Sequence, residues 1–111
     1  MERKGLLIRA EDIKDLIPHM GFSIASNAVT IEGEKIGFMY REKPDSNEDS
    51  GWRFLSGNES QEYVDDEDNS KIMDVNTMAN YDPAIIPYLK HPVGTELERV
   101  EGTDEFREIT E

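Results

Sequence analysis

The 111-residue chain contains no cysteine, which excludes a disulfide scaffold and any thiolate-ligated metal site. It has two histidines, His19 and His91, each beside a proline and neither with a second histidine at ligand spacing. Basic residues are scarce: 12 Lys and Arg stand against 25 Asp and Glu, a formal net charge of −13. Such a balance argues against direct contact with a phosphate backbone, which needs a basic footprint. No apolar run approaches the ~18 residues of a membrane-spanning helix. Leu6 to Ile8, behind a charged start, is too short for a signal-peptide core. A cytoplasmic protein without membrane attachment is expected. Neither a Gly-x-Ser-x-Gly elbow nor a phosphate-binding glycine loop occurs, and no cofactor or metal is expected.

Mean hydropathy is low, at −0.69, which together with the charge leans toward disorder. The distribution of residues argues otherwise. Leu, Ile, Val and Phe number 25 of 111, just above the ~20% level at which disorder sets in. Residues 1–41 carry six acids and six bases, and 69–95 carry two of each. Residues 42–68 hold ten acids and two bases, and 96–111 hold seven and two. Two neutral, apolar-rich blocks are thus each followed by an acidic one. This pattern fits one folded domain over residues 1–111 with an acidic surface.

Ile13, Leu16, Ile17 and Met20 share one helical face, which predicts a helix over about Ala10–Ile17, stopped by Pro18. Phe22–Ala25 and Ala28–Ile31 are short and β-prone. Ile36–Arg41 alternates with period two, placing Ile36, Phe38 and Tyr40 on one face. Trp52–Leu55 and Ile72–Val75 are further strands, with one helical turn near Glu59–Val64. Asn76 or Thr77 would cap a turn through Ala79. Asp82-Pro83 opens a short or 3₁₀ helix that points Ile85, Ile86 and Leu89 at the core. Thr95–Val100 and Phe106–Ile109 form a closing hairpin. Strands and helices do not alternate regularly. The expected class is α+β, a small mostly antiparallel sheet with a few short helices packed on it.

The acid run Asp65-Asp66-Glu67-Asp68 does not satisfy a calcium loop. From Asp66 the required glycine is Lys71 and the terminal glutamate is Thr77, and the register from Asp65 fails equally. A solvated acidic loop is the plain reading of these residues. The single tryptophan, Trp52, has two readings: a core residue with its indole N–H bonded, or an exposed interface anchor. In the first case Arg53 points to the opposite face and is the more accessible of the two.

The ordered series Gly37-Phe38-Met39-Tyr40-Arg41-Glu42, Asp49-Ser50-Gly51-Trp52-Arg53-Phe54, Ser56-Gly57, Glu59, Glu62-Tyr63, Asp74-Val75-Asn76-Thr77, Ala79-Asn80-Tyr81-Asp82-Pro83 and Ile86-Pro87 resembles a bacterial family. That family was first catalogued as a domain of unknown function and later labelled immunity protein 33. The resemblance covers about residues 5–109. It implies a non-enzymatic protein that binds and neutralises a bacterial toxin, and it brings no catalytic residue set. The partner so implied is a protein, a cognate toxin, to which the acidic balance adds the expectation of a basic face; the oligomeric state is open. Charge complementarity makes the acidic block the contact region, with Trp52, Arg53, Glu59, Glu62, Tyr63, Asp65, Asp66 and Asp68 as candidate contact residues. Two other readings stand beside it: a hydrolase using clustered carboxylates, and an acidic nucleic-acid mimic or adaptor.

Overall fold

Six short strands, each with one side turned to the core, build a single sheet in the computed structural model, which describes residues 7–109. The leader reading of the first eight residues falls largely outside this range. The strands are β1 (Phe22–Ser26), β2 (Phe38–Arg41), β3 (Asp49–Leu55), β4 (Ser70–Asp74), β5 (Glu96–Arg99) and β6 (Phe106–Glu108). Their order is β4-β1-β3-β2-β5-β6, antiparallel throughout except for the parallel β1–β3 pair. Helices α1 (Asn27–Thr30) and α3 (Val75–Tyr81) contribute to the core, as does the 3₁₀ helix Pro83–Tyr88, while α2 (Gln61–Asp65) buries no residue. The fold is α+β, as the sequence predicts.

The core lies on the sheet face covered by α1, α3 and the 3₁₀ helix. Ala25, Met39, Trp52, Phe54 and Leu97 enter it from the strands, and Val29, Val75, Met78, Ile85 and Leu89 from the helical side. Trp52 is fully buried, stacked on Phe54 at 6.1 Å between ring centroids. Its indole N–H donates to the Leu89 carbonyl over 3.1 Å, and the Arg41 guanidinium lies 5.7 Å above its ring. The core reading of Trp52 is therefore correct, and the exposed-anchor reading is overturned. A ring this large satisfies its one polar atom while burying the rest.

A buried ion pair closes the other end of the core. Asp82 caps the 3₁₀ helix by accepting from the Ala84 amide at 3.2 Å and takes the Ile36 amide at 3.0 Å. The Arg99 guanidinium bonds the same carboxylate, donates to the Ile36 carbonyl at 2.9 Å and covers the Phe106 ring at 4.8 Å. One Asp–Arg pair thus fixes the β5–β6 hairpin to the chain before β2 and to the end of α3.

Several expected elements differ. The helix over Ala10–Ile17 is absent, and only Ala10–Asp12 makes a 3₁₀ turn. An isolated helix of this length is marginal, and α3 supplies competing partners. Asn76 Oδ1 accepts from the Leu16 and Ile17 amides at 2.8 and 3.3 Å, and Asn80 Oδ1 from the Lys14 amide at 3.0 Å. Both asparagine amides donate to the Lys14 carbonyl at 2.8 Å. Ala28–Ile31 is not a strand: Ser26 Oγ accepts from the Ala28 amide at 3.1 Å and caps α1 instead. In β2 the buried face is that of Met39, because Met39 pairs with Phe54, so Phe38 and Tyr40 take the opposite face. Ile36 is buried from outside the strand. Val75 begins α3, whose cap is Asp74 and not Asn76 or Thr77. Ile86 is only partly buried, whereas Ile85 and Leu89 are in the core.

Replacing Trp52 by Phe removes the bond to Leu89 and leaves unfilled volume. The expected cost is about 2–4 kcal/mol, read as a lower urea midpoint at unchanged slope.

Candidate functional site

Alternation along β3 sends Trp52 and Phe54 to the covered face and Asp49, Arg53 and Leu55 to the other. On that second face the register aligns Ile72, Ile24, Arg53, Tyr40 and Glu96 in one row across five strands. Among the described residues, no long helix covers this row. Ile72 is 72% exposed, and Phe22 and Ile24 are exposed beside it.

Arg53 sits in the row with its side chain only 4% exposed. A buried guanidinium is costly unless its donors are paired, and here they are. Asp49 receives a two-pronged bond, Nη1 to Oδ1 at 2.9 Å and Nη2 to Oδ2 at 2.8 Å. Nε donates to Glu42 Oε2 at 2.6 Å, and Nη1 also reaches the Trp52 carbonyl at 3.1 Å. Asp49 further accepts from the Asp45 and Gly51 amides at 3.0 and 2.9 Å. Gly51 makes this arrangement possible. Its φ is +89°, and a Cβ there would lie 2.3 Å from the Glu42 carbonyl oxygen. The bonds from Arg53 outweigh burial and hold the Asp49 carboxyl well below the usual carboxylate range, while Asp49 raises the guanidinium in turn. Burial, then the Glu42 carboxylate, push the Tyr40 phenol up, so it stays a neutral hydroxyl.

Residues 56–69 form an arm beside this face. Glu59 shapes its base by accepting from the Ser56 and Gly57 amides at 2.8 and 2.9 Å. Burial alone would raise this carboxyl, but the bonds from the Ser26 hydroxyl and the Ser56 amide bring it below its usual range. Ser60 Oγ caps α2 by accepting from the Tyr63 amide at 3.1 Å. Asp66 Oδ1 then caps a 3₁₀ turn, Glu67–Asn69, through the Asp68 amide at 2.9 Å. Asn27 of α1 donates to the Asp68 carbonyl at 3.0 Å, and Asn69 to the Tyr63 carbonyl at 3.1 Å. The arm is thereby tied both to itself and to the body.

Between arm and sheet lies a cleft of about 220 Å³. Ile24, Tyr40, Arg53 and Leu55 form its floor, Tyr63 and Val64 its wall, and Glu42, Asp66 and Glu67 its rim. Of the expected contact residues, Arg53, Tyr63 and Asp66 meet at this cleft. Glu62, Asp65 and Asp68 are exposed on the arm outside it. Glu59 is half-buried with its carboxylate spent on backbone amides, and Trp52 lies in the core. Arg53 is on the face opposite Trp52, as expected, but it is sequestered by its two carboxylates.

The acids of the arm do not converge on a common centre. Among the described residues, no three or more His, Asp or Glu side chains are placed to hold a metal ion. His19 lies 3.8 Å from Asp74, and His91 Nδ1 lies 3.0 Å from the Tyr88 carbonyl. Among the described residues, no helix is long and apolar enough to cross a membrane.

Asp49, Glu42, Tyr40, Ile24 and Val64 belong to this site but were not among the expected contact residues. The spacing of Asp49 and Arg53, four apart, was a usable signal, since on a strand an even separation puts both on one face. Starting the strand at Trp52 conceals it, because β3 starts at Asp49.

Asp49→Asn would leave Arg53 with Glu42 as its sole anionic partner. The expected loss is about 2–4 kcal/mol. A carboxyl held low in the folded state adds stability that is complete above its unfolded pKa and is lost as pH falls through the folded value. Wild-type stability should therefore drop as pH falls below about 4. Asp49→Asn should flatten that drop, as read by urea midpoints across the acid range.

A profile of the Immunity protein Imm33 domain matches residues 23–110. Searches of curated proteins and of solved structures match nothing to the chain. The profile match takes in the whole sheet but for Phe22, and the chain belongs to the Imm33 immunity-protein domain family.

Proposed function

We propose that the protein binds a bacterial toxin and neutralises it without catalysis, presenting the acidic arm to a basic face of that toxin. Membership of the immunity-protein family supports the role. The observation that carries the surface assignment is the division of labour among the acids of residues 42–68. Glu42 and Asp49 are spent on Arg53, and Glu59 on backbone amides. Glu62, Asp65, Asp66, Glu67 and Asp68 remain exposed together on one short, hydrogen-bonded arm. Such a patch speeds encounter with a basic partner and disfavours acidic ones.

The hydrolase reading has less support. A general acid needs a carboxyl whose pKa is raised toward neutrality. The two carboxyls here with shifted values, Asp49 and Glu59, are both moved down. Their oxygens are engaged by a guanidinium and by amides, which is the signature of structural anions. A nucleic-acid mimic would distribute its charge evenly over a long face, whereas the densest run of exposed acids here lies within residues 62–68.

Asp65→Lys, Asp66→Lys and Asp68→Lys combined should slow association with the neutralised toxin by about tenfold or more at low salt. The same variant should lose most of the wild-type salt dependence of the on-rate. Co-expression with each neighbouring toxin gene identifies the partner by rescue of growth. An unchanged on-rate and unchanged rescue in the triple variant would refute the arm as the contact surface.

A further inference from the structure

The arm's charges account for attraction but leave the cleft beside them unexplained. Its floor and wall are apolar: Ile24, Leu55, Val64 and the rings of Tyr40 and Tyr63. Its apolar surface continues outward, since Ile24 pairs with Ile72, the most exposed large hydrophobic residue among those described. Val64 is 46% exposed on the wall. The one cation in the floor, Arg53, is neutralised twice over by Asp49 and Glu42. The rim adds Asp66 and Glu67. Two carboxylates thus pair the one guanidinium in the floor, and two more stand on the rim of a cavity the size of a single large side chain.

We infer that this cleft is an anchor pocket for one aromatic or large aliphatic side chain of a protein partner, flanked on that partner by lysine or arginine. Charge complementarity selects the flanking residues: an acidic rim disfavours an acidic segment and leaves a basic one paired. The apolar floor selects the anchor, because burying a large side chain in a fitted pocket ringed by polar contacts is how hot spots concentrate binding energy. The inference deepens the reading of the chain as a toxin-binding protein and rests on it for the identity of the natural partner. Rim charge and anchor divide the kinetics: the rim governs how fast the partner arrives, and the pocket how slowly it leaves.

Synthetic peptides test the pocket directly. The probes are acetyl-Lys-Lys-Trp-Lys-Lys-amide, the same peptide with Ser for Trp, and its Glu-flanked counterpart, titrated into the full chain by NMR. The expected result is shifts at Ile24, Tyr40, Leu55, Val64 and Ser70 with the Lys–Trp peptide. Binding of each control should be at least about tenfold weaker. Val64→Trp fills the cleft from an exposed position and should weaken the Lys–Trp peptide by about tenfold or more. Ile24→Trp fills it from the floor and serves if Val64→Trp fails to fold. Equal binding of the Ser peptide, shifts confined to the outer arm, or no binding would each overturn the pocket. In co-expression, Val64→Trp should shorten the toxin complex's lifetime and reduce rescue, and full rescue by both filled variants would overturn the pocket's role as anchor. Failure of the wild type to rescue any strain refutes toxin neutralisation alone, and the peptide titration still decides the cleft.

Discussion

The guanidinium of Arg53 sits on the sheet face opposite the core, in the floor of the cleft walled by α2, and its pairing organises the residues around it. Desolvating a cation there demands two carboxylates, and each comes from a different place: Asp49 from the start of the same strand, Glu42 from just beyond the end of its neighbour. Satisfying Asp49 in turn fixes the turn that includes Asp45, and Gly51 provides the close approach of β3 to the residue after β2. A central buried charge is thus converted into a rigid, neutral piece of floor. The acids left over are the ones free to face a partner. The apparent excess of negative charge divides into anions that hold the fold and anions that are displayed.

The two faces of β3 do opposite work. Trp52 and Phe54 take the core side and gain from burial. Arg53 takes the other side and gains little net stability, because the cost of desolvating an ion pair roughly offsets its attraction. The Asp82–Arg99 pair follows the same logic at the far end of the core, where it locks the hairpin to the end of α3. Both pairs act as locating devices for segments distant in sequence. That suits the proposed contact face, which is assembled from β1, β2, β3 and the arm, since a preformed surface loses less ordering entropy when it is used.

Much of this was legible in the sequence. The strands around Phe22–Ala25, Trp52–Leu55 and the closing hairpin follow from β-propensity and turn residues, and the Asp82-Pro83 start follows from capping chemistry. The order of the motif series pointed to the family. What could not be read were outcomes set by distant partners. The periodicity of Ile13, Leu16, Ile17 and Met20 is that of a helix, yet side-chain amides from residues some sixty positions later hold the backbone extended. Which face of β2 is buried was not legible, because alternation gives a period and not a phase, and the phase came from pairing Met39 with Phe54. The contact residues were half legible: exposure of Glu62, Asp65, Asp66 and Asp68 follows from clustered charge, whereas the diversion of Glu59 and Arg53 into internal bonds depends on geometry.

The asparagine clamp on residues 14–17 has a consequence for the order of assembly. Asn76 and Asn80 lie 59 to 66 positions beyond the amides they hold, and β1 pairs with β3 and β4, never with a strand adjacent in sequence. During synthesis at roughly 5–20 residues per second, the leading third of the chain emerges seconds before its partners exist. Its hydrogen-bonding groups must wait in water until α3 has left the ribosome. Completion of this domain is therefore expected late in synthesis, and pairings so distant in sequence favour slow folding. Five charged residues and Pro18 within residues 9–20 suit that delay, since they make the segment a poor strand partner for other chains while it waits.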